Sequence, residues 1–550
     1  MDTPDTAYDF IIVGSGGGSV PAALVMQAQG KRPLIIEKQS VIGGSSAFSG
    51  GVIWIPNNDR LNAEDGNDSP ERARTYFDAV VGDAGPASSP QRRDAYIRHG
   101  AEMVRFLESQ GMRFIHAHWP DYYDTRAGGL AQGRSIEAPL FDVGELGAWA
   151  PKLARHPMTG SLPLVSGESV RIFVATRTWK GRRLLAKLAY RMILTKVFRK
   201  QLRGAGNALQ GRLFQIALRK GIPIWTDSPV KELTVSNGGV TGVVVEREGR
   251  RLQLAARLGV LINAGGFSRN LAMRERYQPK PASVSWTHAN PGDTGEMIQA
   301  AMQVGAAVDL MNEAWWLASS YLPDGTTLGM HSPNDIGKPH CIVVDAKGRR
   351  FANESVSYME FGQRMYGAGA VPAWAIFDNQ HRSKYIWGTI LPRFTPKSLI
   401  TSGYLKNADT LEELARRCGI DSAGLGETVA RFNKFVANGT DEDFGRGQGA
   451  YNHLSGDPKV RPNPNLGTIQ RPPFYAVQLQ PGDVGTSGGI LTDEFARALR
   501  ADGSAIPGLY ATGNSTASVM GRAYLGAGAS VGPSMTFGYI AARHAAGMRD

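Results

Sequence analysis

The sequence predicts an α/β fold of the Rossmann-like kind, and three observations predict it. A short apolar run, Phe10 to Val13, reads as a buried parallel strand. The glycine-rich turn Gly14-Ser15-Gly16-Gly17-Gly18-Ser19 follows, then a helical pattern from Val20 to Gln29. A second apolar run, Pro33 to Ile36, ends in an acid, Glu37.

Together these form a dinucleotide fingerprint in its proper setting. The glycines permit a tight turn and close approach to a pyrophosphate, and the helix N-terminus offers unpaired N–H groups to that anion. Glu37, 23 residues after Gly14, can accept hydrogen bonds from a ribose. Ser19 occupies the third glycine position and is expected to loosen helix–strand packing. A second small-residue loop follows the acid directly, "VIGGSSAFSGGVIW", with Gly43, Gly44, Ser45, Ser46, Ser49, Gly50 and Gly51. Such a loop can run along a ribityl chain and beneath a flat ring with little obstruction.

The bulk numbers bound the rest. At 550 residues the chain is too long for one core. Two cysteines, Cys341 and Cys418, stand far apart without CxxC spacing or a histidine cluster, so no metal site or disulfide framework is expected. The N-terminus is acidic, with no apolar signal region, and no run of 18 apolar residues occurs. A cytoplasmic protein is expected. The net charge of +12 is concentrated: residues 169–226 carry fourteen Lys and Arg and no acid.

The two glycine loops resemble the FAD-binding half of the fumarate reductase and succinate dehydrogenase flavoprotein superfamily. The segment from Ser228 to Asn270, ending in "AGGF", resembles its strand meander, and "GDTGEMIQAA" its next helix. "RADGSAIPGLYATGN" resembles its last strand at the cofactor. The resemblance implies FAD, with Val230 at the adenine, Gly265 and Gly266 near the cofactor, and Gly513 and Asn514 near the ribityl chain. It adds Lys38, Asp293 and Val531 to the cofactor set. It also implies a discontinuous FAD-binding domain, 1–285 plus 473–550, with an α+β catalytic domain, 286–472, inserted. An unusual insert occupies about 145–226.

"GRAYLGAGASVGPSM" places one phenol, Tyr524, in a loop of small residues before a helix with Pro533 in its first turn. It resembles the Tyr-x-Gly-x-Gly loop of the 3-ketosteroid Δ1-dehydrogenase family. That resemblance implies that the Tyr524 hydroxyl and the Gly528 amide hold a steroid C3 carbonyl. "PDYY" and "NESVSY" extend it. By the same resemblance Tyr358 takes the C2 proton and Tyr122, rather than Tyr123, hydrogen-bonds to it. The implied activity is FAD-dependent dehydrogenation of C1–C2 in a 3-ketosteroid, with a quinone-like or artificial electron acceptor. The alternatives are a C4–C5 (5α) desaturase and a fumarate-reductase-like enzyme. His288 is expected to be structural or substrate-lining, and Pro481 to Asp493 a glycine-rich turn covering the site.

The basic segment, 171–203, is expected to be helical from Arg182 to Leu202 and to bend after Ile193. Leu184, Leu185, Leu188 and Met192 share an apolar face there. A basic amphipathic stretch suits either an anionic membrane surface, on the inner face of the cell membrane, or a solvated or oligomer-facing element. No nucleic-acid module accompanies the charge, so no nucleic-acid partner is expected.

Overall fold

The computed structural model describes residues 7–64, 67–155 and 162–548. The fingerprint folds as its pattern requires. The first strand is Ala7–Val13, the first helix Ser19–Ala28 and the second strand Pro33–Ile36. All three are almost wholly buried, because a parallel sheet is covered on both faces. Ala7–Val13 is central. It runs parallel to Pro33–Ile36 on one side and to Arg250–Ile262 on the other. Arg250–Ile262 in turn lies parallel to Ala505–Ala511, so the two ends of the chain share one eight-stranded sheet. Val230–Ser236, Gly239–Arg247 and Arg250–Ile262 form the antiparallel meander.

Ser19 tightens the fingerprint instead of loosening it. Its hydroxyl donates to the Gly14 carbonyl at 2.9 Å and accepts from Asn263 Nδ2 at 2.7 Å, pinning the first helix to the Arg250–Ile262 strand. The closest helix contact falls one residue earlier. A Cβ on Gly18 would lie 2.3 Å from the Ser534 carbonyl, in the last helix, Val531–Ala545. A Cβ on Gly538 of that helix would come as close to the Gly18 carbonyl.

A second, six-stranded sheet is antiparallel, in the order Thr327–Met330, Ala314–Tyr321, Phe474–Thr486, Ala373–Asp378, Cys341–Val344, with Leu405–Ala408 also on Phe474–Thr486. The central strand begins just past residue 473, so this sheet reaches beyond the inserted segment. Of the turn expected at Pro481 to Asp493, Pro481 to Thr486 is the end of this strand. Gly482 and Gly485 serve the close approach of neighbouring strands and side chains there. Cys341 is buried and Cys418 half-buried, both as free thiols.

The basic segment forms two helices, Ser166–Ile172 and Trp179–Val197. The second is continuous through Ile193, so the expected bend is absent. Thr178 caps it, accepting from the Gly181 amide. Its inner face is Leu184, with Leu188 and Arg191 half-buried, while Leu185 and Met192 are exposed. Arg191 turns inward because Glu168 receives it, at 2.6 Å, together with Lys187 at 2.8 Å. Among the described residues no helix is long and apolar enough to cross a membrane.

Candidate active site

A cavity of about 780 Å³ runs along the C-terminal ends of the parallel strands and on between the two sheets. Ligand pockets of roughly 300–1,000 Å³ are usual. Fifteen of the expected cofactor residues line it: Gly14, Gly16, Glu37, Lys38, Gly44, Ser45, Ser46, Ser49, Gly50, Val230, Gly265, Asp293, Gly513, Asn514 and Val531. The other six, Gly17, Gly18, Ser19, Gly43, Gly51 and Gly266, stand behind this wall and shape it. The Gly17 amide donates to Ser46 Oγ at 3.0 Å and the Gly43 amide to Ser15 Oγ at 2.9 Å, which joins the two glycine loops. Gly51 packs against Ala205, and Gly266 against Thr486.

The residues at this wall fit FAD. Glu37 is buried, yet it faces the cavity from the end of its strand. One carboxylate oxygen accepts from the Ser15 amide and hydroxyl, the other from the Gln39 amide at 2.9 Å. A carboxylate has about four lone-pair sites, so acceptor capacity remains for a ribose. Burial raises its pKa, opposed by the Ser15 hydroxyl. Asp293 is pushed up to about 7 by burial, against a hydrogen bond from Ser45 Oγ at 3.1 Å. Lys38 donates to Thr294 Oγ1 at 2.7 Å and to Glu296 at 2.8 Å.

The other end of the cavity is aromatic. Tyr358, the first residue of the helix Tyr358–Gly367, comes from the inserted segment, and Tyr524 comes from the C-terminal loop. Their rings stand 4.9 Å apart, centroid to centroid. Tyr122 lies behind them, 5.5 Å from Tyr524 and 5.9 Å from Tyr358. No hydrogen bond joins Tyr122 to Tyr358 among the described residues; Tyr122 stacks on Tyr451 at 4.1 Å instead. Tyr451 was not legible in the sequence, because nothing local marks a tyrosine in the helix Gly449–Ser455. Tyr123 turns away toward Ser357 and Glu360. Burial holds the pKa values of Tyr122, Tyr358 and Tyr451 above the ordinary phenol range; the Tyr524 ring adds to this at Tyr358, and the Tyr451 ring at Tyr122.

The Tyr524 loop is held from below. The Leu525 carbonyl accepts from the Tyr122 amide at 2.9 Å and from the Tyr76 hydroxyl at 2.8 Å. Gly528 adopts φ +91°, and a Cβ there would lie 2.3 Å from the Val52 carbonyl. Its N–H meets no acceptor among the described residues. Trp54, on the same strand Val52–Trp54, donates to Asp121 at 2.8 Å, and Asp121 pairs with Arg134. Burial pushes Asp121 up to about 6, with Arg134 opposing. Trp315 meets Tyr524 edge-on at 5.2 Å and donates to Asn514 Oδ1 at 3.0 Å, linking the phenols to the cofactor wall. His288 lines the cavity with Nε2 2.7 Å from Ser319 Oγ.

The chain matches the family described as FAD binding domain over residues 9–531. It is 40% identical to a 3-oxosteroid 1-dehydrogenase of Mycobacterium tuberculosis, with 98% of each chain covered. It is 34% identical to a 4-oxocyclohex-2-ene-1-carboxylate 5-dehydrogenase of Sinomonas cyclohexanicum, covering 98% of this chain and 94% of that one. Its fold superposes with a TM-score of 0.92 on the 3-ketosteroid delta1-dehydrogenase of Sterolibacterium denitrificans, solved with 1,4-androstadiene-3,17-dione, at 37% identity over 99% and 100% of the two chains. A cofactor wall of this composition, an adjoining cluster of phenols and likeness over the whole chain lead to one conclusion: the chain belongs to the 3-oxosteroid 1-dehydrogenase family of FAD-dependent oxidoreductases.

Proposed function

We propose that this enzyme introduces the C1–C2 double bond of a 3-ketosteroid. The observation that carries the reading is the meeting of Tyr358 and Tyr524, from separate parts of the chain, at the end of a cavity that begins at the FAD wall. Bound FAD supplies the acceptor for the hydride that leaves C1. The Tyr524 hydroxyl and the Gly528 amide donate to the C3 oxygen, where negative charge grows as the C2 proton leaves. The Tyr358 oxygen takes that proton. Its place at a helix N-terminus favours the phenolate, while its burial opposes it. The Tyr122–Tyr451 stack packs the cluster from behind. Beyond the phenols the cavity is lined by Leu162, Leu164, Ile172, Phe173, Leu317 and Met330, an apolar length that suits four fused rings better than one.

Anaerobic mixing with a 4-ene-3-ketosteroid tests this reading. Bleaching of oxidised flavin with formation of a 1,4-diene supports it. Bleaching only with a 5α-saturated 3-ketosteroid moves the site to C4–C5, and no bleaching with either refutes it.

The second part of the proposal is a membrane surface as partner. Trp179, Tyr190, Ile193, Val197 and Phe198 are each at least 60% exposed. Tyr190, Ile193 and Val197 recur at helical spacing on the outer side, among Lys187, Lys196, Arg199 and Lys200. An apolar stripe set among cations matches anionic lipid in both respects. A quinone-like acceptor would reoxidise the flavin there. The test is sedimentation with phosphatidylglycerol vesicles. Binding that falls with added salt and in Ile193→Glu supports docking, and equal recovery with neutral vesicles or none rejects it.

A further inference from the structure

Two histidines and a carboxylate meet on a small three-stranded sheet, and none of them lines the ligand cavity. His116 ends the strand Ile115–His116, which pairs with Ser135–Glu137. His118 lies two residues on, a spacing that keeps side chains on one side of an extended chain. Its backbone departs into the left-handed region, φ 53°, and its ring centroid stands 4.4 Å from that of His116. Glu64 arrives just after the helix Asp59–Asn62. Its Oε2 is 2.7 Å from His116 Nδ1 and 3.8 Å from His118 Nδ1.

A simple His–Glu pair accounts for the first distance and leaves the second imidazole unexplained. Three potential ligand atoms lie within 4.8 Å of one another. Ligands of a tetrahedral zinc ion, at bond lengths of about 2.0–2.2 Å, stand roughly 3.3 Å apart, so small side-chain rotations close the set. We propose that Glu64, His116 and His118 bind a divalent transition-metal ion of the zinc class, with water as fourth ligand. Two imidazoles and one carboxylate suit zinc, nickel or cobalt, whereas magnesium and calcium prefer oxygen alone. The side chain of His116, 2% exposed, is the rigid anchor, while Glu64 and His118, at 49% and 61%, leave the site open to solvent.

The ion would act as a clamp. The carbonyl of Ala117, between the two histidines, packs against Gly167, in the helix Ser166–Ile172 that leads into the basic segment. Trp119, next after His118, lines the cavity. Occupancy would therefore tie the pocket wall and the base of the basic segment to the turn at Glu64.

The test uses the FAD-loaded enzyme, stripped of metal by a chelator. Zinc chloride is titrated against a chromophoric chelator, and cobalt(II) chloride is added to reveal the visible absorption of tetrahedral cobalt beyond the flavin bands. One ion per chain and a raised unfolding temperature are expected. Glu64→Gln and His118→Gly should each weaken binding roughly tenfold or more with FAD content unchanged. Glycine at 118 also accepts the left-handed backbone, so that variant should fold. His453→Ala, at another exposed histidine, should bind like the parent. Absence of stoichiometric binding, or equal affinity in the Glu64 and His118 variants, overturns the proposal.

Discussion

The rings of Tyr358 and Tyr524 meet at 4.9 Å with their planes tilted by 47°, one at the head of a helix in the inserted segment and the other in a loop near the C-terminus. Neither segment alone builds the site. Loss of either phenol should therefore impair the reaction.

On the proposed mechanism, Tyr358→Phe removes the proton acceptor and keeps the ring. Flavin bleaching by a 4-ene-3-ketosteroid should slow by about 100- to 10,000-fold, with FAD content and unfolding temperature near the parent's. Stopped-flow absorbance measures it. A loss below tenfold would assign the proton to another group.

On the same proposal, Tyr524→Phe removes one of two donors to the C3 oxygen, which should cost about 100- to 1,000-fold in rate. Gly528→Ala should fail differently. Its Cβ would enter the Val52 carbonyl at a backbone angle that disfavours L side chains. The loop must shift, so unfolding temperature and activity should fall together. Calorimetry beside kinetics separates the two cases.

The pH dependence follows from burial. Burial raises the pKa of Tyr358 well above the ordinary phenol value, so the phenolate is the scarce form at neutral pH. A reaction that needs the phenolate gains rate as pH rises, by up to about tenfold per unit below that pKa. The bleaching rate should climb from pH 7 to pH 10 without a plateau. A profile flat across that range would show that Tyr358 is not the titrating base.

Gly538→Ala tests the packing of the first helix on the last. The new Cβ would lie 2.3 Å from the Gly18 carbonyl, directly beneath the fingerprint turn. Overpacking of this kind costs about 1–3 kcal/mol. FAD should dissociate more readily as well, which fluorescence of released flavin measures.

The parts legible in the sequence were the local ones. Gly14 to Ser19 and Glu37 signal a strand, turn, helix and acid within about thirty residues, and the structure sets Gly14, Gly16 and Glu37 in one wall with Gly17, Gly18 and Ser19 behind it. Tyr524 stood out because its neighbours lack side chains. Contacts made across the chain were not legible. Tyr451 stacks on Tyr122 from more than three hundred residues away, with no motif around it. Ser19 is pinned to the neighbouring strand's end because Asn263 reaches it. In the basic helix, Leu185 and Met192 fit the pattern of a buried face, yet Arg191 took the inward place because Glu168 is there to neutralise it.

The Leu525 carbonyl, gripped by Tyr76 from 449 residues away, has a consequence for biosynthesis. The strand Arg250–Ile262 likewise waits for Ala505–Ala511 before that flank is covered. A ribosome adding about 5–20 residues per second needs roughly ten to fifty seconds to travel between those strands. For that interval the nascent chain exposes one unpaired edge of that strand and an unfinished flavin wall. Prematurely terminated chains should thus be colourless as well as inactive, and the yellow of bound flavin would report that translation reached the end.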